Sequence, residues 1–158
     1  MGYFTGKISA EFTPPQTWKL DKPLSFVVTE LTGDEIKHLK NIGVDITPNG
    51  KITCKTGMKT DLASVPRIVW NLVAPWDIAR AAVIHDYLYA RLRNYYEEAI
   101  RKPEMPKNKS VWRKTRKISD KILLLGMKAA EPAVPAWKKY GAYESVRIFG
   151  GWPASKKK

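Results

Sequence analysis

The residues of this sequence best suited to chemistry surround one histidine. His85 is followed closely by Asp86, Tyr87 and Tyr89, and another acid, Asp120, lies on the next long helical segment. His85 falls in the middle of an apolar helical stripe, where an imidazole needs a polar partner for each ring nitrogen that it buries. If the two helical segments pack antiparallel, Asp120 can approach His85 and fix its tautomer, which is the core of a general base.

A structural interpretation of the same residues stays open. A buried histidine is commonly a core residue with satisfied nitrogens and no catalytic role. Arg116 lies four residues before Asp120 and can form an ordinary ion pair with it on the helix surface. Asp120 lies opposite the main apolar stripe of its helix, which favours this ion pair unless Leu124 and Met127 mark a second buried face.

A second polar group lies in the turn-rich segment Thr60-Asp61-Leu62-Ala63-Ser64-Val65-Pro66-Arg67, whose side chains can point into a cleft. Ser64 is therefore a candidate catalytic residue beside His85. The polar cluster that binds a substrate or braces the fold is predicted to comprise Asp61, Arg67, Asp86, Tyr87 and Tyr89. In the alternative interpretation Asp61 caps a helical turn, Ser64 bonds its own backbone and Arg67 is solvated.

A divalent cation such as calcium is the cofactor that the acidic residues allow. Asp61 and Asp86, together with Asp120, offer the carboxylate oxygens that Ca²⁺ and Mg²⁺ prefer. A metal site with two histidines is not expected, because His38 is predicted on a distant exposed helix. The sequence also lacks a glycine-rich phosphate loop, a Gly-x-Ser-x-Gly elbow and a His-Glu-x-x-His motif.

Cysteine content and the first residues favour a reducing, cytosolic place of synthesis. Cys54 is the single cysteine, so neither a disulfide framework nor a cysteine-based zinc site is expected. Cys54 alternates with Ile52 in a predicted strand, which favours a small buried hydrophobe over a nucleophile. Residues 1–7 lack the pattern of a secretion signal, and no uncharged apolar stretch reaches transmembrane length.

Positive charge is concentrated in the second half of the chain. Residues 1–90 hold 10 Lys and Arg against 9 Asp and Glu, whereas residues 91–158 hold 18 against 6, within a total net charge of +13. This asymmetry predicts a polyanionic partner: nucleic acid, an anionic envelope surface or an acidic protein face. The alternative is that excess lysine only keeps the protein soluble. The candidate partner-binding residues, next to Trp112 and Trp137, are Arg113, Lys114, Arg116, Lys117, Lys138 and Lys139.

Hydrophobic periodicity indicates strands first and helices afterwards, which is typical of an α+β domain. Strands are predicted at Tyr3 to Phe12 and Ser25 to Thr29, with a hairpin of residues 44–47 and 51–55 around Pro48-Asn49-Gly50. Helices are predicted over 33–41 behind a Thr-x-x-Glu capping box, from Asp77, from a Ser110 cap to Ala130, and from Trp137 to Phe149. We expect one domain over 1–150, in which a small antiparallel sheet packs against two long antiparallel helices and a shorter C-terminal helix, and a basic tail over 151–158.

Four segments carry a resemblance to a known family. They are the Thr60 to Arg67 motif, Ala81-Ala82-Val83-Ile84-His85-Asp86-Tyr87-Leu88-Tyr89, the helix that bears Asp120, and Val146-Arg147-Ile148-Phe149-Gly150. Together they resemble the phage-associated domain of unknown function DUF1353, from the first strand to Gly150. The resemblance implies a bacteriophage or prophage product of unassigned activity. Within that context we expect synthesis in the host cytoplasm, a place in the virion and other phage structural proteins as partners.

A local likeness concerns the helix of His85. The order His-Asp-x-x-Tyr on one helix, facing an Asp on another, is similar to the catalytic helix pair of secreted phospholipases A2. That likeness implies that His85 is the base that activates water, Asp120 its orienting partner and Asp86 a calcium ligand. The chain departs from that class because it has one cysteine and no glycine-rich calcium loop.

Three functional hypotheses follow. The first is a virion-associated or assembly protein, whose basic helical half docks on a polyanionic surface. The second is a small phage hydrolase directed at lipid or cell wall, in which His85 is bonded to an acidic side chain and opens onto a cleft shared with Asp61 or Ser64. The third is a nucleic-acid-binding accessory protein, whose affinity falls steeply with salt.

Overall fold

The computed structural model describes residues 2–14, 17–60, 75–102, 104, 109–130 and 133–151, with only the backbone at 75–77. Residues 152–158 of the predicted basic tail lie outside these ranges. The described residues form strands that precede the long helices, as the predicted α+β class requires. The strands are β1 (Tyr3–Thr5), β2 (Ala10–Thr13), β3 (Thr17–Leu20), β4 (Leu24–Val27), β5 (Lys51–Cys54) and β6 (Lys59–Thr60). The helices are α1 (Gly33–Asn41), α2 (Pro75–Arg101), α3 (Lys109–Lys128) and α4 (Ala136–Phe149).

The strands form two small antiparallel sheets where the sequence predicted one. β1, β4 and β5 pair in the order β1-β4-β5, and the second sheet has the order β2-β3-β6. The predicted strand from Tyr3 to Phe12 is divided between the sheets, because Gly6 adopts a φ of 92° that a strand cannot contain. β3 and β6 were not predicted from the sequence.

Local sequence signals fix α1 and the turn before β5. The Thr32 hydroxyl accepts a hydrogen bond from the Glu35 backbone at 3.2 Å, and the Glu35 carboxylate accepts one from the Thr32 backbone at 2.9 Å. This capping box confirms the predicted helix over 33–41. In the predicted hairpin β5 is regular, while Ile46 pairs with Ile52 in a single bridge.

The long helices α2 and α3 pack antiparallel. Ala81 lies opposite Gly126 near one end of the pair, and Tyr96 packs towards Trp112 near the other. A Cβ on Gly126 would stand 2.8 Å from the Ala81 Cβ, so these small residues let the helices approach closely. The predicted Ser110 cap was wrong, because α3 begins at Lys109 and Ser110 lies in its first turn.

Two hydrophobic clusters surround the helix pair. One joins the β1-β4-β5 sheet and α1 to α2 and α3, and the other joins α2 and α3 to α4. Cys54 is fully buried in the first cluster, where burial raises the pKa of its thiol, so the prediction of a buried hydrophobe is confirmed. None of the described helices is long and apolar enough to cross a membrane.

Candidate functional site

His85 and Tyr89 lie one turn apart on the face of α2 that meets α3. The predicted apolar stripe around His85 is confirmed, because six residues at helical spacing on α2 are buried: Ile78, Ala81, His85, Leu88, Tyr89 and Leu92. The imidazole of His85 packs against the Tyr89 ring with 4.1 Å between ring centres. Both side chains therefore reach the α2–α3 interface, where they meet one carboxylate.

Asp120 is fully buried and accepts three hydrogen bonds. Its Oδ1 accepts from His85 Nε2 at 3.0 Å and from the Tyr89 hydroxyl at 2.7 Å. Its Oδ2 accepts from Arg147 Nη1 at 2.9 Å. Burial alone would raise the pKa of Asp120, but the hydrogen bonds from His85, Tyr89 and Arg147 outweigh it and hold that pKa below its ordinary value. Asp120 is therefore an anion in a buried site.

The alternative ion pair between Arg116 and Asp120 was wrong. The Arg116 guanidinium donates instead to the carbonyls of Val146 and Arg147, at 3.3 Å and 2.9 Å, and lies over the Trp112 ring. Met127 is fully buried and Leu124 is partly buried against the same cluster, so α3 has the second buried face. Arg116 thus ties α3 to the end of α4, although it was predicted to bind a polyanion.

The ionised carboxylate determines the tautomer of His85. Because Asp120 can only accept, His85 Nε2 must carry the proton, and in the neutral ring Nδ1 then carries the lone pair. Nδ1 is buried and has no hydrogen-bond partner among the residues that the structure describes. His85 is thus oriented by an anion on one side and presents a basic nitrogen on the other.

Arg147 also belongs to this network, although the sequence did not predict a role for it at the site. It reaches Asp120 from α4 with a side chain about one third exposed. Its neighbour Gly150 packs against Tyr89, since a Cβ there would stand 2.9 Å from the Tyr89 hydroxyl. The signal available in the sequence was a basic residue in the motif Val146 to Gly150, together with the need of a buried acid for a cation.

Asp86 points away from the α2–α3 interface into a polar pocket. Its Oδ2 accepts a hydrogen bond from the Thr60 hydroxyl of β6, another contact that the sequence did not predict. The pocket has a volume of about 240 Å³ and is lined by Lys59, Thr60, Asp86, Ala90, Arg93, Asn94 and Glu97. His85 and Asp86 are thus neighbours on α2, but His85 contacts the buried Asp120 and Asp86 lines the pocket.

Tyr87 is separated from the His85 network. Its hydroxyl accepts a hydrogen bond from the Asp45 backbone at 2.9 Å, on another side of α2, and burial raises its pKa. His38 was predicted on a distant exposed helix, but it is half-buried and its Nε2 lies 2.8 Å from the Thr115 hydroxyl of α3. Of the predicted cluster, Tyr89 joins His85 and Asp120, Asp86 lines the neighbouring pocket, and Tyr87 belongs to neither.

Asp61, Ser64 and Arg67 lie outside the described residues. Their predicted roles in catalysis, substrate binding and metal binding therefore stay predictions. Within the described part of the chain, no group of three or more His, Cys, Asp or Glu side chains is arranged to hold a metal ion. Thr60, which lines the pocket beside Asp86, immediately precedes Asp61 in the sequence.

The predicted partner-binding cations are divided by their environments. Arg113, Lys114 and Lys117 are exposed on α3. Lys138 and Lys139 are half-buried on α4. The exposed charges of α3 thus form a basic surface near its N-terminal end, distinct from the His85 network.

A family comparison covers most of this arrangement. The family model described as "Protein of unknown function (DUF1353)" matches residues 39–146. The chain belongs to the DUF1353 family. The DUF1353 match includes His85, Asp86, Tyr89 and Asp120, and ends one residue before Arg147. No curated protein and no solved structure matches the chain.

Proposed function

We propose that this DUF1353 protein is a small hydrolase in which His85 Nδ1 is the general base. The observation that carries the proposal is an imidazole whose Nε2 is held by a buried carboxylate and whose Nδ1 has no hydrogen-bond partner among the described residues. A buried polar atom without a partner costs about 1–3 kcal/mol. A network that only joined helices would gain nothing from that cost, whereas a base needs this lone pair.

The proposed step is the activation of a water molecule. Nδ1 takes a proton from a water molecule as the water oxygen attacks the carbonyl of an ester or amide. The ring then becomes an imidazolium, whose charge the Asp120 carboxylate stabilises through Nε2. The imidazolium next returns the proton to the leaving oxygen or nitrogen as its bond to the carbonyl carbon breaks. His85 and Asp120 thereby take the roles that the likeness to phospholipases A2 implies.

The pocket beside Asp86 offers a place for substrate. The His85 ring is fully buried and does not line this pocket, so a water molecule must pass between the pocket and Nδ1. Lys59, Arg93 and Asn94 line the same pocket with donors that suit a polar or anionic group. The lipid and cell-wall esters and amides expected from the sequence are the substrate classes to test.

The test is His85→Gln, compared with wild type on ester, phospholipid and peptidoglycan substrates. Glutamine can place its amide nitrogen near the position of Nε2, which keeps the donor to Asp120 and removes the Nδ1 lone pair. We expect kcat to fall by about 10²–10⁴-fold with little loss of stability. His38→Gln is the matched control, because His38 also uses Nε2 in a side-chain hydrogen bond to α3. Undiminished turnover in His85→Gln, or no turnover by wild type, contradicts the proposal.

A second candidate function is a structural or assembly role in a phage particle. It is supported by the exposed cations Arg113, Lys114 and Lys117 in a chain half of strongly positive charge. In that role the protein is made in the host cytoplasm and joins other phage structural proteins in the virion. His85→Gln in the producing phage separates the candidates, since intact but non-infectious particles favour chemistry and malformed particles favour architecture. Binding to DNA or RNA that weakens steeply with salt would favour the nucleic-acid-binding alternative.

A further inference from the structure

Helix α4 carries exposed apolar side chains. Trp137 and Ile148 are 63% and 69% exposed, and Tyr140 and Phe149 are about half exposed. Trp137, Tyr140 and Ile148 recur at helical spacing on the side opposite the buried Ala142 and Val146. Four of the seven exposed large hydrophobic residues in the described part of the chain therefore lie on one helix.

Lysines accompany the aromatic rings of this face. The Nζ of Lys138 lies 5.6 Å from the centre of the Trp137 ring, and that of Lys128 lies 5.8 Å from the centre of the Tyr140 ring. Glu144 is the single acidic residue in the segment 133–151. The surface formed by Trp137, Tyr140, Ile148, Lys128 and Lys138, called the α4 face below, is thus both apolar and cationic.

We infer that the α4 face docks on an anionic lipid surface. Tryptophan and tyrosine rings favour the boundary between headgroups and acyl chains, where neighbouring lysines reach the phosphates. The helix is about 20 Å long, so it can lie along this boundary with its apolar side chains inserted. Positive charge on the protein complements negative charge on the lipid.

The chemistry of the α4 face favours lipid over two other occupants. A two-fold contact between two copies would bring together two surfaces that both carry Lys128 and Lys138, so positive charge would meet positive charge. Nucleic acid could stack on Trp137 and Tyr140, but Ile148 offers a base no ring to stack on. A lipid boundary accommodates the aliphatic and aromatic side chains and the lysines together. This inference does not depend on hydrolysis.

The experiment is sedimentation of the full chain with vesicles of phosphatidylglycerol and phosphatidylcholine in equal parts, and with vesicles of phosphatidylcholine alone. We expect binding to the anionic vesicles. Trp137→Ser combined with Ile148→Ser should weaken it by roughly tenfold or more, because both side chains lose their insertion. Lys128→Gln combined with Lys138→Gln should weaken it by roughly 30-fold.

The matched control is Tyr3→Ser combined with Ile100→Ser, which removes two comparably exposed apolar residues outside α4. Retained binding by this control, with a native circular dichroism spectrum for all variants, supports the α4 face. Absence of vesicle binding by wild type overturns the inference, as does equal binding by the Trp137 and Ile148 double variant. A dimer, or an oligonucleotide complex, that the same double variant abolishes would reassign the face and also overturn it.

Discussion

Asp120→Asn tests how much the buried carboxylate contributes to the fold. The substitution keeps the size of the side chain and removes its charge. The asparagine Oδ1 can still accept from His85 Nε2 and the Tyr89 hydroxyl, while its amide group faces the Arg147 guanidinium. The hydrogen bonds from His85 and Tyr89 therefore go to a neutral acceptor. The hydrogen bond from Arg147 is replaced by a contact between two donor groups.

The expected loss follows from these three contacts. A hydrogen bond to a charged group contributes about 1.5–3 kcal/mol and a neutral one about 0.5–1.5 kcal/mol. The energy of the lost bond to Arg147 lies at the lower end of the range for charged groups, because the side chain of Arg147 is 35% exposed and can bond to water. We expect Asp120→Asn to lower the free energy of unfolding by about 3 kcal/mol. The melting temperature should fall by about 6–12 °C for a domain of this size.

The assay is urea denaturation followed by far-UV circular dichroism, for wild type, Asp120→Asn, Arg147→Met and the double variant. Arg147→Met should cost about 1–2 kcal/mol in wild type and almost nothing in the Asp120→Asn background, where the guanidinium has lost its anion. A coupling energy below about 0.5 kcal/mol would refute the assigned contact between Arg147 and Asp120.

Two further predictions concern the same helices. Gly126→Ala should destabilise the protein by about 1–3 kcal/mol, since its Cβ would stand 2.8 Å from that of Ala81. Gly141→Ala, whose Cβ would meet nothing within 4 Å, should stabilise it by up to about 1 kcal/mol. Equal effects of the two substitutions in urea denaturation would contradict the close packing of α2 and α3. Because the folded-state pKa of Asp120 is lowered from 3.8, its ionisation stabilises the fold above that pH and the gain is lost as the pH falls through the lowered pKa. Acid titration of Asp120→Asn should therefore show a smaller fall in stability than wild type.

The contact between His85 and Asp120 could be predicted because it depends on helical period and antiparallel packing. The stripe on α2 placed His85 at an interface, and a buried imidazole demanded an acid. Arg147 could not be assigned in the same way. The connection between α3 and α4 leaves the direction of α4 open, and only tertiary packing brings Arg147 to Asp120.

Local signals predicted helix α1 correctly, whereas the long-range pairing of strands could not be predicted. The Thr-x-x-Glu signal placed α1 correctly, since a capping box is satisfied within four residues. The division into two sheets depends on Gly6 and on the pairing of β3 with β6, which lie far apart in sequence. β3 reads Thr-Trp-Lys-Leu and β6 has two residues, so neither carries an alternating pattern long enough to recognise.

The two oxygens of Asp120 separate stability from the proposed chemistry. Oδ2 meets Arg147 and ties α4 to the helix pair, whereas Oδ1 meets His85 and sets the tautomer of its ring. Loss of the Arg147 contact therefore weakens the fold while the proton on Nε2 still has its acceptor. Loss of the Nδ1 lone pair in His85→Gln leaves both oxygens with donors and removes the base. A stable protein without turnover in the second case, beside a less stable but active one in the first, is the pattern that a catalytic role requires and a purely structural network cannot produce.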